Sequence, residues 1–162
     1  MNEEWTRLCA LLDDDVELAP SVRLAVDHPA EYFATHADEL RFRGIESAHD
    51  VDPWLVMIDG LDDVGALAYL DRKDSGAQLA DALAALPRIV ATGADLDPVG
   101  DVETDLPIAV AVANEIIDAH GLALVYLEEE PDAYPLVAVA ADDAEQIVAL
   151  ASALGRVART HP

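Results

Sequence analysis

The chain has 162 residues, and its 9 lysines and arginines stand against 33 aspartates and glutamates, which gives a formal charge of −24 at pH 7. Hydrophobic residues make up 52% of the sequence, so an intrinsically disordered chain is excluded, and the length fits one domain over residues 1–162. The charge excludes nucleic acid and an anionic membrane surface as partners, because both repel an acidic protein.

Residues 1–64 are predicted to form a helical part. Pro20 marks a break in this part. Asp52 is placed to cap a helix that begins at Pro53, and Gly65 is placed to end that helix. The longest segment of this part runs to Gly44 as a single helix. Apolar residues at helical spacing indicate three helices, at residues 5–12, 29–44 and 53–61, and a short helical turn at residues 21–27.

Residues 65–162 are predicted to contain the sheet. A capping box of Ser75 and Gln78 begins a helix that ends at Pro87, and Asp142 with Glu145 is placed to cap the last helix. Residues 92–105 are expected to be a loop. Strands are predicted at residues 66–70, 122–127 and 136–140, and further helices at residues 106–120 and 145–154.

These elements predict an α+β fold. We expect the N-terminal helices to pack on a small, mostly antiparallel sheet of three to five strands. The chain then ends in a helix–strand–strand–helix unit, whose two helices we expect to cover one face of the sheet.

The single cysteine and the N-terminal residues predict a cytoplasmic protein. Cys9 lies at helical spacing among apolar residues, which favours a buried structural thiol over a nucleophile. The first residues are acidic and carry no apolar signal region. The longest apolar run, residues 107–113, is far shorter than the roughly 20 residues that cross a bilayer. No membrane association is therefore expected.

The acidity itself has two interpretations. No lysine or arginine occurs between Arg88 and Arg156, an interval with 14 carboxylates, so most of these carboxylates must face water. Genome composition or solubility at high salt explains such a surface without any function. The alternative is an acidic face that meets a basic partner.

Two groups of polar residues are candidates for a site. Asp59, Asp62 and Asp63 lie at the end of a predicted helix, and Asp71, Lys73 and Asp74 lie at the end of a predicted strand, where sites in sheet proteins tend to occur. Local capping and ion pairing explain the second group equally well. Trp54, beside Pro53, is a further candidate as the anchor of a partner, although a core position is the simpler interpretation.

Motifs for cofactor chemistry are absent or incomplete. The window 95–106 begins like a calcium loop but has Leu106 where the bidentate glutamate belongs. His49 and Asp50 lack further ligands at helical spacing, and no phosphate-binding or nucleophile-elbow motif occurs. We therefore assign no catalytic residue, no metal and no cofactor.

Three segments resemble the bacterial Domain of Unknown Function 6630 family. The resemblance spans most of the chain and implies no assigned activity. The segments that carry it are Pro53-Trp54-Leu55-Val56-Met57-Ile58-Asp59-Gly60-Leu61, Tyr69-Leu70-Asp71-Arg72-Lys73-Asp74-Ser75, and Tyr134-Pro135-Leu136-Val137-Ala138-Val139-Ala140 leading into residues 147–155.

Two functional hypotheses follow. The first is a non-enzymatic binding module of the immunity or regulatory type, whose acidic face neutralises a basic protein. The second is a small carboxylate- or metal-dependent hydrolase, which requires Asp59, Asp62, Asp71 and Asp74 to converge in one pocket. The incomplete catalytic motifs favour the first hypothesis. The sequence does not indicate an oligomeric state.

Overall fold

A computed structural model describes residues 2–160, and these residues form the predicted α+β fold. The strands are β1 (Leu67–Asp71), β2 (Leu122–Leu127), β3 (Ala133–Ala140) and β4 (Ala158–Thr160). The helices are α1 (Asn2–Leu12), α2 (Leu18–Asp27), α3 (Pro29–Thr35), α4 (Ala37–Phe42), α5 (Pro53–Asp63), α6 (Gly76–Ala84), α7 (Pro87–Val90), α8 (Asp97–Gly100), α9 (Leu106–Asp118) and α10 (Ala144–Ala153). Short 3₁₀ turns lie at Ala48–Asp50 and Ala141–Asp143.

The four strands form one antiparallel sheet in the order β1-β3-β2-β4. Val125 lies opposite Val137 in the β2–β3 pair, and Leu124 lies opposite Ala138. Successive side chains of a strand point to opposite faces, so the sheet has a Val125 face and a Leu124 face. Each face is covered by its own hydrophobic core, and both cores are made of buried aliphatic and aromatic side chains.

The helices divide between these two faces. The core on the Val125 face takes its helical side chains mainly from α1, α2, α5 and α10, and the core on the Leu124 face takes them from α6, α7, α8 and α9. The last two long helices therefore lie on opposite faces, and the expectation that both cover one face is wrong. The hairpin of β2 and β3 lies between the two helices in the chain, and its two ends lead to opposite faces of the sheet.

Several predicted helix ends are confirmed in detail. The Trp54 backbone N–H donates to Asp52 Oδ1 at 3.0 Å, so Asp52 caps α5. The Ser75 backbone N–H donates to Gln78 Oε1 at 2.9 Å and completes one half of the capping box before α6. Gly65, with φ +74°, ends α5, and the following N–H donates back to the Leu61 carbonyl at 2.9 Å.

The helical prediction for residues 21–44 needs two corrections. Helix α2 begins at Leu18, so Pro20 lies in its first turn, where the missing N–H of proline costs no helical hydrogen bond. The predicted single helix over residues 29–44 is interrupted at His36, whose φ and ψ are −118° and 24°. The ring of His36 stacks on Tyr32 at 4.2 Å, and α4 restarts beyond it.

Four further features differ from the prediction. Strand β3 begins at Ala133, three residues earlier than expected, and the predicted loop at residues 92–105 contains the single turn α8. Asp142 lies inside the 3₁₀ turn that precedes α10, so it does not cap that helix. Strand β4 was not predicted, because three residues are too few to show alternation.

Membrane-spanning helices are absent from residues 2–160, where even the longest helix, α9, has only 13 residues.

Candidate functional site

Helices α4 and α5 enclose an open groove of about 440 Å³, which we call the acidic groove. Asp59, Asp62 and Asp63 share one side of α5, because residues three and four apart lie on the same face of a helix. Helix α4 supplies the opposite wall. The lining residues are Asp38, Glu39, Phe42, Asp59, Asp62 and Asp63.

The carboxylates of the groove shift the pKa values of Asp62 and of the nearby Tyr32. The pKa of Asp62 is raised, first by burial and then by the neighbouring charges of Asp63 and Asp59. Burial raises the pKa of Tyr32 to about 12, and the charges of Glu39, Asp59 and Asp63 add to this effect. The groove is therefore a region of strong negative potential.

Phe42 lies at the end of α4 and is 98% exposed. It is the most exposed of the large hydrophobic residues among residues 2–160, and it lines the acidic groove. Leu40, two residues earlier, is only 6% exposed. Side chains two positions apart in a helix point about 200° apart around its axis, so the burial of Leu40 directs Phe42 into water.

The backbone beside Phe42 is anchored by Arg43. Arg43 Nε donates to Asp59 Oδ2 at 2.6 Å, its Nη2 donates to Asp59 Oδ1, and its Nη1 donates to Glu129 Oε1 at 2.9 Å. These charge-assisted bonds, the one to Asp59 foremost, raise the pKa of Arg43 above its already high ordinary value. Arg43 thus joins α4 to α5 and to the β2–β3 connection.

Glu129 completes this network from the β2–β3 connection. Its side chain is only 2% exposed, and its Oε2 accepts a hydrogen bond from the Tyr69 hydroxyl at 2.6 Å. Burial, and next the bond to Glu129, raise the pKa of Tyr69. We call the linked side chains of Asp59, Arg43, Glu129 and Tyr69 the Arg43 bridge, which ties two helices to β1 and to the end of β2.

A second cavity, of about 330 Å³, is bordered by Arg43, and we call it the Trp54 cavity. Trp54 is 2% exposed, and its indole Nε1–H donates to the Glu128 carbonyl at 2.8 Å. Arg156 Nη2 donates to Asp52 Oδ1 at 2.6 Å across the same cavity. The lining residues are Arg43, Asp52, Trp54, Leu55, Glu128, Glu129, Glu130, Gly155, Arg156 and Val157.

The sequence-predicted candidates thus fall into three places. Asp59, Asp62 and Asp63 lie together in the acidic groove, whereas Trp54 is buried beneath the second cavity.

The group after β1 forms a turn of its own. Asp71 Oδ1 accepts from the Lys73 backbone N–H at 2.9 Å, and Asp74 Oδ2 accepts from the Asp71 backbone N–H at 2.8 Å. None of Asp71, Lys73 and Asp74 lines the acidic groove. The convergence that the hydrolase hypothesis requires is therefore not observed. Within residues 2–160, no three His, Cys, Asp or Glu side chains are placed to hold a metal ion.

Sequence reasoning missed the residues that shape the groove. Phe42 lies within the predicted helix over residues 29–44, and the sequence pattern does not single out Phe42, Arg43 or Glu129. One signal was available for Phe42, since its spacing of two from Leu40 places the two side chains on opposite sides of a helix. No local signal connects Arg43 with Glu129, because they are 86 residues apart.

The fold and this surface define an acidic α+β protein with an exposed aromatic side chain among carboxylates. The family model for the domain of unknown function (DUF6630) matches residues 4–161, and the chain belongs to that family. The resemblance predicted from the sequence is thereby confirmed. No curated protein and no solved structure matches the chain.

Proposed function

We propose that this protein is a binding module of the immunity or regulatory type, which holds a basic segment of a partner protein in the acidic groove. The observation that carries the proposal is Phe42, 98% exposed at the edge of a groove whose other lining residues are all carboxylates. Interfaces commonly combine an aromatic anchor with surrounding charges.

The exposed ring supplies an apolar contribution to binding. Full burial of a phenylalanine side chain contributes roughly 1.5–3 kcal/mol relative to leaving it in water. The Arg43 bridge holds the end of α4 in place, so little ordering of this surface is required when a partner arrives. A fitting segment therefore presents an apolar side chain to Phe42.

The carboxylates determine which segment fits. Asp38 and Glu39 on one wall, and Asp62 and Asp63 on the other, favour lysine or arginine residues on both sides of that apolar side chain. The formal charge of −24 steers such a partner toward the protein, so the association rate falls as salt is added.

A cytoplasmic location is part of the proposal. Its support is Cys9, a free thiol buried in the core of the Val125 face. Free thiols persist in reducing compartments.

The experiment is a ¹⁵N–¹H NMR titration with a blocked synthetic peptide in which arginine and leucine alternate. We expect saturable shift changes clustered at residues 38–43 and 59–63. A peptide in which arginine and glycine alternate has the same charge and serves as the control for the apolar contact, and it should bind more weakly. Shift changes scattered over acidic positions of the whole chain would instead support acidity as a solubility property and would refute the proposal.

Matched variants sharpen this experiment. Asp62→Asn removes one charge from the groove, and Asp81→Asn removes one from the exposed side of α6. We expect Asp62→Asn to weaken the peptide by about threefold, the size of one exposed ion pair, and Asp81→Asn to have a smaller effect. Equal effects would mean that only the net charge matters.

A further inference from the structure

The Trp54 cavity has an excess of negative charge that its own cations do not neutralise. Four carboxylates line it, from Asp52 and residues 128–130, against the two guanidinium groups of Arg43 and Arg156. Both guanidinium groups are already engaged with carboxylates of the chain, and Arg159 pairs with Glu128 from outside the cavity lining. The Glu130 carboxylate takes part in none of the ion pairs or side-chain hydrogen bonds described for residues 2–160. The cavity therefore favours one further cation.

The shape and walls of the cavity restrict what that cation is. At about 330 Å³ the cavity is at the lower end of the range for ligand pockets, roughly 300–1,000 Å³, which suits a single long side chain. Leu55 and Val157, the latter 39% exposed, provide apolar wall. Lysine and arginine have this combination of apolar stem and charged end, because their methylene stems pack on apolar surface while the charge reaches a polar rim.

The Trp54 cavity also adjoins the acidic groove. Arg43 lines the cavity, Asp59 lines the groove, and Arg43 Nε lies 2.6 Å from Asp59 Oδ2. One ion pair therefore links the two linings, and we expect a side chain of a peptide segment in the groove to reach the cavity.

We propose that the Trp54 cavity receives one lysine or arginine side chain of the basic partner, and that Glu130 is its principal charge partner. This inference rests on the proposed function of the acidic groove. The groove selects for basic and apolar character in general, whereas the cavity selects one basic residue at a fixed position next to the apolar residue that contacts Phe42.

The indole N–H of Trp54 is the reporter for this test. It donates to the Glu128 carbonyl in the cavity wall at 2.8 Å, so occupation of the cavity should shift its NMR signal. Trp5, buried in α1, gives the internal reference. The probes are N-acetyl-arginine methylamide and N-acetyl-lysine methylamide, with uncharged N-acetyl-leucine methylamide as control. We expect saturable shifts of the Trp54 signal with both cationic probes only.

A pair of charge variants identifies the partner group. Glu130→Gln should weaken binding of the arginine probe by about threefold, as expected for an exposed ion pair. Glu103→Gln removes the same charge from an exposed segment outside the cavity and should leave binding within the error of the titration. Equal shifts with the leucine probe, or equal effects of the two variants, would overturn the inference.

Failure of the two proposals is distinguishable. If the arginine–leucine peptide shifts the NMR signals of the groove residues but not that of the Trp54 indole, the cavity does not receive a side chain, whereas the proposed function of the groove is supported. If the peptide leaves the groove signals unchanged, the proposed function fails, and the inference that depends on it fails too.

Discussion

Replacement of Arg43 by alanine is expected to destabilise the protein strongly, because it leaves the buried Glu129 carboxylate without its cationic partner. The Glu129 side chain is 2% exposed, and Arg43 is its only cationic partner in the ion pairs described for residues 2–160. Removing one partner of a buried ion pair costs about 3–5 kcal/mol. Arg43 itself is 27% exposed, so water can partly replace it, and we expect a loss of about 3 kcal/mol.

The assay is urea denaturation at pH 7, with the slope of the transition compared between variants. A loss of about 3 kcal/mol corresponds to a decrease in Tm of roughly 6–12 °C for a chain of this size. Arg159→Ala is the matched control, because its pair with Glu128 is more open, with side chains 59% and 44% exposed. That variant should lose less than about 1 kcal/mol.

A second substitution tests the stated cause. Glu129→Gln in the Arg43→Ala background removes the stranded charge and keeps an oxygen that can accept from the Tyr69 hydroxyl. Part of the lost stability should therefore return. If Arg43→Ala and Arg159→Ala destabilise equally, or if Glu129→Gln gives no recovery, the Arg43 bridge is not a buried ionic network and this reasoning is wrong.

Three further predictions concern single residues. Gly76→Ala should lower the free energy of unfolding, measured by urea denaturation, by about 2 kcal/mol, because the new Cβ would lie 2.1 Å from the Val99 carbonyl oxygen and 2.6 Å from that of Val102. A variant as stable as the wild type would show that the backbone moves freely there. Asp62 has a raised pKa, so its stabilising contribution is fully present below its ordinary pKa of 3.8 and is lost as pH rises through the pKa of the folded protein. In thermal melts, Asp62→Asn should therefore increase the free energy of unfolding by about 0.5 kcal/mol at pH 7 and have no such effect below about pH 4. A stabilisation that persists in acid would contradict this sign. Burial raises the pKa of Cys9 to about 12, so a thiol reagent at pH 8 should label it only in denaturant, and rapid labelling of the native protein would show that the thiol is open.

The sequence predicted the elements whose ends are marked by local chemistry. Asp52, Ser75 and Gly65 each carry a capping or turn preference that acts over three or four residues, and each ends or begins a helix where expected. The strand at residues 122–127 was also predicted to its ends, because a glycine precedes it and three glutamates follow it.

The elements that were missed depend on distant contacts. Strand β4 forms only because its three residues pair with β2, more than 30 residues earlier in the chain. The helix is interrupted at His36 although no proline or glycine there predicts a break. Gly76 is required by the close approach of α8, which no pattern around residue 76 reveals.

The candidate site was predicted only in part, for the same reason. The helical spacing of Asp59, Asp62 and Asp63 brings them together without any tertiary contact. Asp38, Glu39 and Phe42 join them only because the folded chain brings α4 to the same groove as α5, and Arg43 reaches Glu129 only in the folded chain. Hydrogen bonds within the turn after β1 occupy Asp71 and Asp74. Ser75, not Asp74, caps α6, so the expectation that Asp74 helps to cap this helix is wrong.

The most direct test of the binding surface is the dissociation constant of the arginine–leucine peptide for Phe42→Ser, compared with Val90→Ser. Val90 is 59% exposed on α7 and lines no part of the groove, so its substitution controls for a general loss of surface hydrophobicity. We expect Phe42→Ser to weaken the peptide about tenfold or more, the equivalent of the 1.5 kcal/mol or more that a buried phenylalanine contributes, while Val90→Ser binds as the wild type does. Equal dissociation constants for all three proteins would contradict the assignment of Phe42 and the acidic groove as the binding surface.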